Sequence, residues 1–162
     1  MLIQTILAAS LLFSSSPSAH KMTGRSALDF KLPTLDGGAV QLGQLEGNVV
    51  LLNFWATWCA PCKKELPQFE MLQKKLRAKG VVVLAVSQDN NIDNARAFIK
   101  KHDLKLLTAW DSGKKVAKAY DVEAMPMTYV IDRKGVVRSV HKGYTKAEFK
   151  YIEAEIDALL HE

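Results

Sequence analysis

Two cysteines stand two residues apart in the segment "NFWATWCAPCKKELP", Asn53 to Pro67, and the 162-residue chain has no others. A pair at that spacing suits three chemistries: a structural disulfide, half of a metal site, or electron exchange with other thiols. As a staple, the Cys59–Cys62 ring closes about four residues and contributes only ~2 kcal/mol, against ~4.7 for a hundred-residue loop. A tetrahedral metal site needs two further ligands. The histidines at 20, 102, 141 and 161 are scattered, and His102 and His141 read as ordinary surface residues. No metal ligand is therefore assigned. Electron exchange fits the flanks best. Cys59 falls where an apolar strand gives way to a helix, whose free N–H groups and dipole stabilise a thiolate. Cys62 lies one turn further in. Pro61 suits the first helical turn, where its missing N–H costs nothing.

The elements that position this pair follow from hydrophobic pattern. "NVVLLNFWA", Asn48 to Ala56, is a nearly continuous apolar run, as in a strand buried on both faces. Helical spacing of Leu66, Phe69, Leu72 and Leu76 predicts a helix over 60–79, with Pro67 inside it as a kink and Gly80 as its end. "VVVLAVS" (81–87) predicts a second buried strand, and "NNIDNARAFIKKH" a helix opened by Asn or Asp. Then come a strand at 105–110, a short helix at 112–120, a hairpin of 127–132 with 135–141, and a helix from Thr145 to Leu160. Ahead of all these, 26–35 and "GGAVQL" predict two short strands around Asp36-Gly37-Gly38. Strands alternating with helices, closed by a hairpin and a helix, imply an α/β layer fold with a mixed sheet.

Composition is that of a folded protein, 48% hydrophobic and 24% charged. The formal charge of +5 comes from scattered lysines without a recognition motif, so no nucleic-acid partner is expected. "SGKK" (112–115) is not a phosphate loop, because Thr108 stands where the first Gly is required. The first 19 residues differ in kind. "MLIQTILAASLLFSSSPSA" has an apolar core of about a dozen residues followed by small ones, the layout of a secretory signal peptide cleaved near Ala19. Twelve helical residues would reach only ~18 Å, short of a ~30 Å hydrocarbon layer. Residues 20–162 then form one domain.

With these residues in view, "FWATWCAPC" at the end of a buried strand resembles the thioredoxin superfamily. The wider pattern is similar to its TlpA/ResA-like branch of exported thiol–disulfide oxidoreductases. The matching pieces are 29–70, 81–106 and "AYDVEAMPMTYVIDRKGVV", so the likeness covers about residues 26–160. It implies a thioredoxin-like fold, a central mixed β-sheet flanked by helices, with an N-terminal β-hairpin extension. It implies Cys59 as attacking and Cys62 as resolving cysteine, and Pro126 in the cis-proline loop, where the Met125 backbone would pair with a substrate strand. Trp58, Pro61, Met125 and Pro126 become the expected substrate surface. Glu65 matches an acidic residue of the ResA-like group; it reads equally as a proton carrier or as a first-turn carboxylate favoured by the helix dipole.

The resemblance further implies a periplasmic reductant of disulfides in other exported proteins, including cysteine pairs in cytochrome c or copper-site maturation. No dissociable cofactor is expected. A membrane thiol reductase of the DsbD/CcdA type would be the electron donor, and a monomer is expected. The rival readings are a copper-binding or delivery module and a peroxiredoxin-like thiol peroxidase. The first uses cysteines three residues apart; the second needs Pro and Thr where Asn53 and Ala56 stand. Asn53, which cannot titrate, stands where cytosolic thioredoxins carry a buried Asp and argues against that duty, while Ala124 in place of a Gly and Met127 in place of a Thr bear on substrate preference.

Overall fold

The computed structural model describes residues 20–162; the expected leader at 1–19 lies outside them. A five-stranded sheet in the order β5-β4-β3-β6-β7 organises the chain. Its strands are β3 (Val49–Trp55), β4 (Val81–Ser87), β5 (Leu107–Trp110), β6 (Met127–Ile131) and β7 (Val137–Lys142). β3, β4 and β5 run parallel, while β6 is antiparallel to β3 and β7 to β6. A separate antiparallel pair, β1 (Lys31–Pro33) and β2 (Ala39–Gln41), precedes them. The helices are α1 (Ala60–Leu76), α2 (Ile92–Lys101), α3 (Lys115–Ala119) and α4 (Lys146–Leu160). This is the expected mixed α/β architecture.

Strand alternation divides the core in two. Val49, Leu51 and Trp55 of β3 pack with Leu66, Phe69 and Leu72 of α1, Phe98 of α2, and Ile152 and Ile156 of α4. Val50, Leu52 and Phe54 point the other way, onto Tyr120, Tyr129 and the N-terminal residues Val40 and Leu42. Every residue of β3 is buried, as its uninterrupted apolar run requires. Asn53 shares the face of Leu51 and Trp55 and is the polar exception within it.

Caps set the helix boundaries. Asn91 accepts from the Asp93 N–H and Thr145 from the Glu148 N–H. α1 runs unbroken through Pro67 to Leu76, then tightens into a 3-10 turn, Arg77–Lys79. Gly80 closes it at φ 83°, a left-handed conformation that glycine adopts without a Cβ clash.

Several elements are shorter than the sequence predicts. The first strand spans 31–33 and not 26–35, because its earlier backbone is engaged elsewhere. Ser26 bridges Val136, and the Ala27 N–H donates to the Gly135 carbonyl. On its far side Thr34 bridges Ala109, and the Leu35 N–H donates to the Thr108 carbonyl. β5 begins at Leu107 because the Lys105 N–H donates to Oε2 of buried Glu70, 2.7 Å away. α3 begins at Lys115, since Asp111 draws in the Lys114 and Ala117 N–H groups beneath it.

Candidate active site

The cysteines sit where β3 delivers the chain to α1. After Trp55 the backbone turns through Ala56, Thr57 and Trp58, and Cys59 takes the N-cap position in extended geometry, φ −95° and ψ 105°. Its Sγ accepts from the Cys62 N–H at 3.3 Å, so the sulfur itself occupies one of the free donors at the helix start. The two cysteines are joined as a disulfide, with Cα atoms 5.3 Å apart. Cys59 keeps 6% of its surface exposed and Cys62 none. Ala60 and Pro61 are exposed on the first turn.

Asp89, just past the end of β4, fixes this turn. Its Oδ1 and Oδ2 both lie 3.2 Å from the Thr57 N–H, and Oδ1 also accepts from the Thr57 hydroxyl at 2.5 Å. Ser87 donates its hydroxyl to Oδ2 at 2.9 Å, and the Trp110 indole donates to the Asp89 carbonyl at 2.7 Å. Asp89 is itself buried. Sequence reasoning passed over it. The available signal was the polar triplet Ser87-Gln88-Asp89 at the carboxyl end of a buried parallel strand next to β3, where sites on such sheets gather.

Beside Cys59 the surface is accessible and mixed in character, with Lys114, Lys118 and Asp121 among apolar side chains. Trp58 is 64% exposed beside Cys59. A groove lined by Trp58, Gln88, Ala117, Lys118, Val122 and Met125 opens there. Half-buried Met125 packs against the core cluster that contains both cysteines. The Met125–Pro126 bond is cis, and the Pro126 carbonyl accepts from the Gly143 N–H at 2.8 Å. Pro126, next to Met125, is buried, Met125 lines the groove with Trp58, and Trp58 and Pro61 adjoin the cysteines along the chain. Trp55, by contrast, is wholly buried against Phe98.

Glu65 is not the first-turn carboxylate of one of its two readings. It lies in the second turn of α1, 1% exposed, facing β3. Asn53 Nδ2 donates to Glu65 Oε2 at 2.8 Å and to Thr128 Oγ1 at 2.9 Å, while Asn53 Oδ1 has no partner among the described residues. Burial raises the Glu65 carboxyl from 4.5 to about 8, opposed by the Asn53 hydrogen bond and by His141. At neutral pH the group is therefore largely protonated.

His141 also departs from expectation. It is not an ordinary surface residue: its side chain is 12% exposed and wedged between Glu148 and Glu155 of α4. His102 does lie exposed, its ring tilted against Phe98 with centroids 4.4 Å apart. Among the described residues no group of three or more His, Cys, Asp or Glu is placed to hold a metal ion. Nor is any described helix long and apolar enough to cross a membrane.

A redox-capable pair capping a helix beneath an exposed tryptophan, on a mixed five-stranded sheet, defines a thioredoxin-fold thiol–disulfide oxidoreductase. Comparison with known proteins agrees. The model of the AhpC/TSA family matches residues 23–140. A thiol-disulfide oxidoreductase ResA of Bacillus cereus is 37% identical over 128 residues, 78% of this chain and 74% of its own. The thioredoxin-like protein YneN of Bacillus subtilis is 41% identical over 130 residues, 78% of this chain and 76% of its own. The crystal structure of a protein described as a thiol:disulfide interchange protein DsbE, from Chlorobium tepidum, superposes with a TM-score of 0.82 at 36% identity. It covers 85% of this chain and 97% of its own. The chain belongs to the AhpC/TSA family, among its ResA-related thiol–disulfide oxidoreductases.

Proposed function

We propose that this protein is exported and reduces disulfides in other exported proteins by dithiol exchange. The observation that carries the reading is the asymmetry of the pair: Cys59 is the helix cap and keeps a small part of its surface exposed, and Cys62 is fully enclosed. In the reduced protein the Cys59 thiolate, favoured by the helix start, attacks a substrate sulfur and expels the first substrate thiolate. Cys62, losing its proton, then attacks Cys59 Sγ and expels the second. Two electrons pass from the pair to the substrate, and Cys59–Cys62 closes as the disulfide seen here.

Glu65, three residues beyond Cys62 and held at about 8, can exchange a proton with it near neutral pH. Trp58, Pro61, Met125 and Pro126 form the surface that a substrate segment lies on. A membrane thiol reductase of the DsbD/CcdA type would return the protein to its dithiol form, and cleavage near Ala19 would release it into the periplasm. Cysteine pairs awaiting cytochrome c or copper-site assembly are fitting substrates. A peroxidase is disfavoured because Asn53, where that chemistry needs Pro, is tied to Glu65 and Thr128.

The test has two parts. The reduced protein should reduce insulin disulfides, and Cys62→Ser should trap partners as mixed disulfides through Cys59. Equilibration against glutathione should give a potential nearer thioredoxin's, about −270 mV, because a helix end by itself stabilises the thiolate only moderately. A value above about −180 mV would mark an oxidant and sink the reductant reading.

A further inference from the structure

A polar row crosses the sheet beneath the cysteines. Asn53 of β3 is paired in register with Thr128 of β6, and Thr128 with His141 of β7. Residues directly opposite one another point to the same face, so all three side chains share the face covered by α1 and α4. Glu65 of α1 closes the row at Asn53. Glu148 and Glu155 of α4 close it at His141.

The hydrogen bonds fix the charge of His141. Nδ1 lies 2.5 Å from Glu148 Oε1, and Nε2 lies 3.1 Å from Glu155 Oε2. Ser139 Oγ donates to Glu155 Oε2 at 2.6 Å and is 2.9 Å from Nε2, so it accepts there. With Glu148 and Glu155 ionised, both ring nitrogens then carry protons, which only the imidazolium does. Burial opposes that charge, but the hydrogen bonds that the ring donates to Glu155 and Glu148 outweigh it and the ring's affinity for its proton is raised. A half-buried cation thus sits two strands from the buried carboxyl of Glu65.

We infer that His141 is a positioning residue for the thiol chemistry: held as a cation by Glu148 and Glu155, it biases Glu65 toward its ionised form and so places the pH range of exchange. The inference rests on the reading of Glu65 as the proton partner of Cys62. The charged groups facing His141 are Glu148 and Glu155 from α4 and Glu65 from α1; Ser139, Thr128 and Asn53 supply the polar remainder. Two strand spacings separate the row's ends by ~10 Å, and a unit charge at that distance in an effective dielectric of ~20 moves a titration by about one pH unit at most.

The experiment follows the side-chain carboxyl carbon of Glu65 by NMR across pH in the oxidised protein. In His141→Gln the Glu65 midpoint should rise by up to that amount, and in His141→Lys, which keeps the charge, it should stay near the wild-type value. Coupling is reciprocal: an ionised Glu65 steadies the imidazolium, so Glu65→Gln should lower the midpoint of the His141 ring by up to the same amount. This second measurement needs no change at His141 and stands if those variants fold poorly. The pH–rate curve for insulin reduction should move with the Glu65 midpoint. An unmoved Glu65 midpoint in folded His141→Gln, or an unmoved His141 midpoint in Glu65→Gln, would overturn this inference alone, leaving His141 as a tie between β7 and α4. A moved midpoint with an unmoved pH–rate curve would overturn the role of Glu65 in exchange, and this inference with it.

Discussion

Replacing Glu65 by Gln should stabilise the oxidised protein, by an amount that grows with pH. The folded chain holds the Glu65 proton up to about 8, whereas the ordinary value is 4.5. Between those values the folded state binds a proton that the unfolded state has released, so stability falls as pH rises through the window. The contribution is fully retained only below the unfolded value. Integrated from pH 5 to pH 8, the loss is about 3 kcal/mol, at 1.36 kcal/mol per pH unit of separation. The glutamine side chain of the variant would not titrate, and it keeps an oxygen for the Asn53 N–H. Urea unfolding at a series of pH values, read by tryptophan fluorescence with both proteins oxidised, reads the difference, because every other titrating group is present in both and only His141 is expected to move with Glu65. The stability gap should widen by about that 3 kcal/mol between pH 5 and pH 8. Parallel stability curves would refute the buried, protonated carboxyl.

Two further outcomes are expected. Iodoacetamide should modify Cys59 of the reduced protein before Cys62, with a midpoint below the ordinary thiol value of about 8.5, because Cys59 caps the helix start and is the one of the two with any exposed surface; mass spectrometry of the labelled peptide reads the order, and preferential labelling of Cys62 would reverse the assigned roles. Asp89→Ala should destabilise the fold by about 3 kcal/mol or more, since it strands the Thr57 N–H and two hydroxyls at roughly 1–3 kcal/mol per unsatisfied buried group. Denaturation measures that loss, and slower insulin reduction should accompany it as the turn before Cys59 loosens.

The central strands were legible because their chemistry is local. β4 occupies the predicted 81–87, since seven consecutive apolar or small residues leave a buried strand little alternative. The cysteine pair and the cis-proline loop carry their own signatures. What escaped the sequence was polar groups whose partners are distant along the chain. Asn53 reads as a residue that cannot titrate, yet it sets the surroundings of one twelve positions away that can. Asp89 lies 32 residues from the Thr57 it holds. His141 reads as a surface residue because alternation along β7 does not reveal that α4 lies over it. Glu70, on the inward face of α1, caps the entry to β5, and nothing near Lys105 announces it.

The segment from Gly24 to Leu35 has a consequence beyond shortening β1. The sheet ends in β5 on one side and β7 on the other. The chain's own arm reaches both: Thr34 and Leu35 bond to Ala109 and Thr108 of β5, while Gly24, Arg25 and Ser26 bond to Val137 and Val136 at the start of β7. Open strand edges invite pairing with other chains, and here the arm already occupies donors and acceptors on both. A reductant that works as proposed must repeatedly grip unfolded, cysteine-bearing segments, and this arm guards it against taking them up as extra strands. Contact with such clients is steered instead to the carboxyl ends of the parallel strands, where the cysteine turn and the Pro126 loop offer a hold.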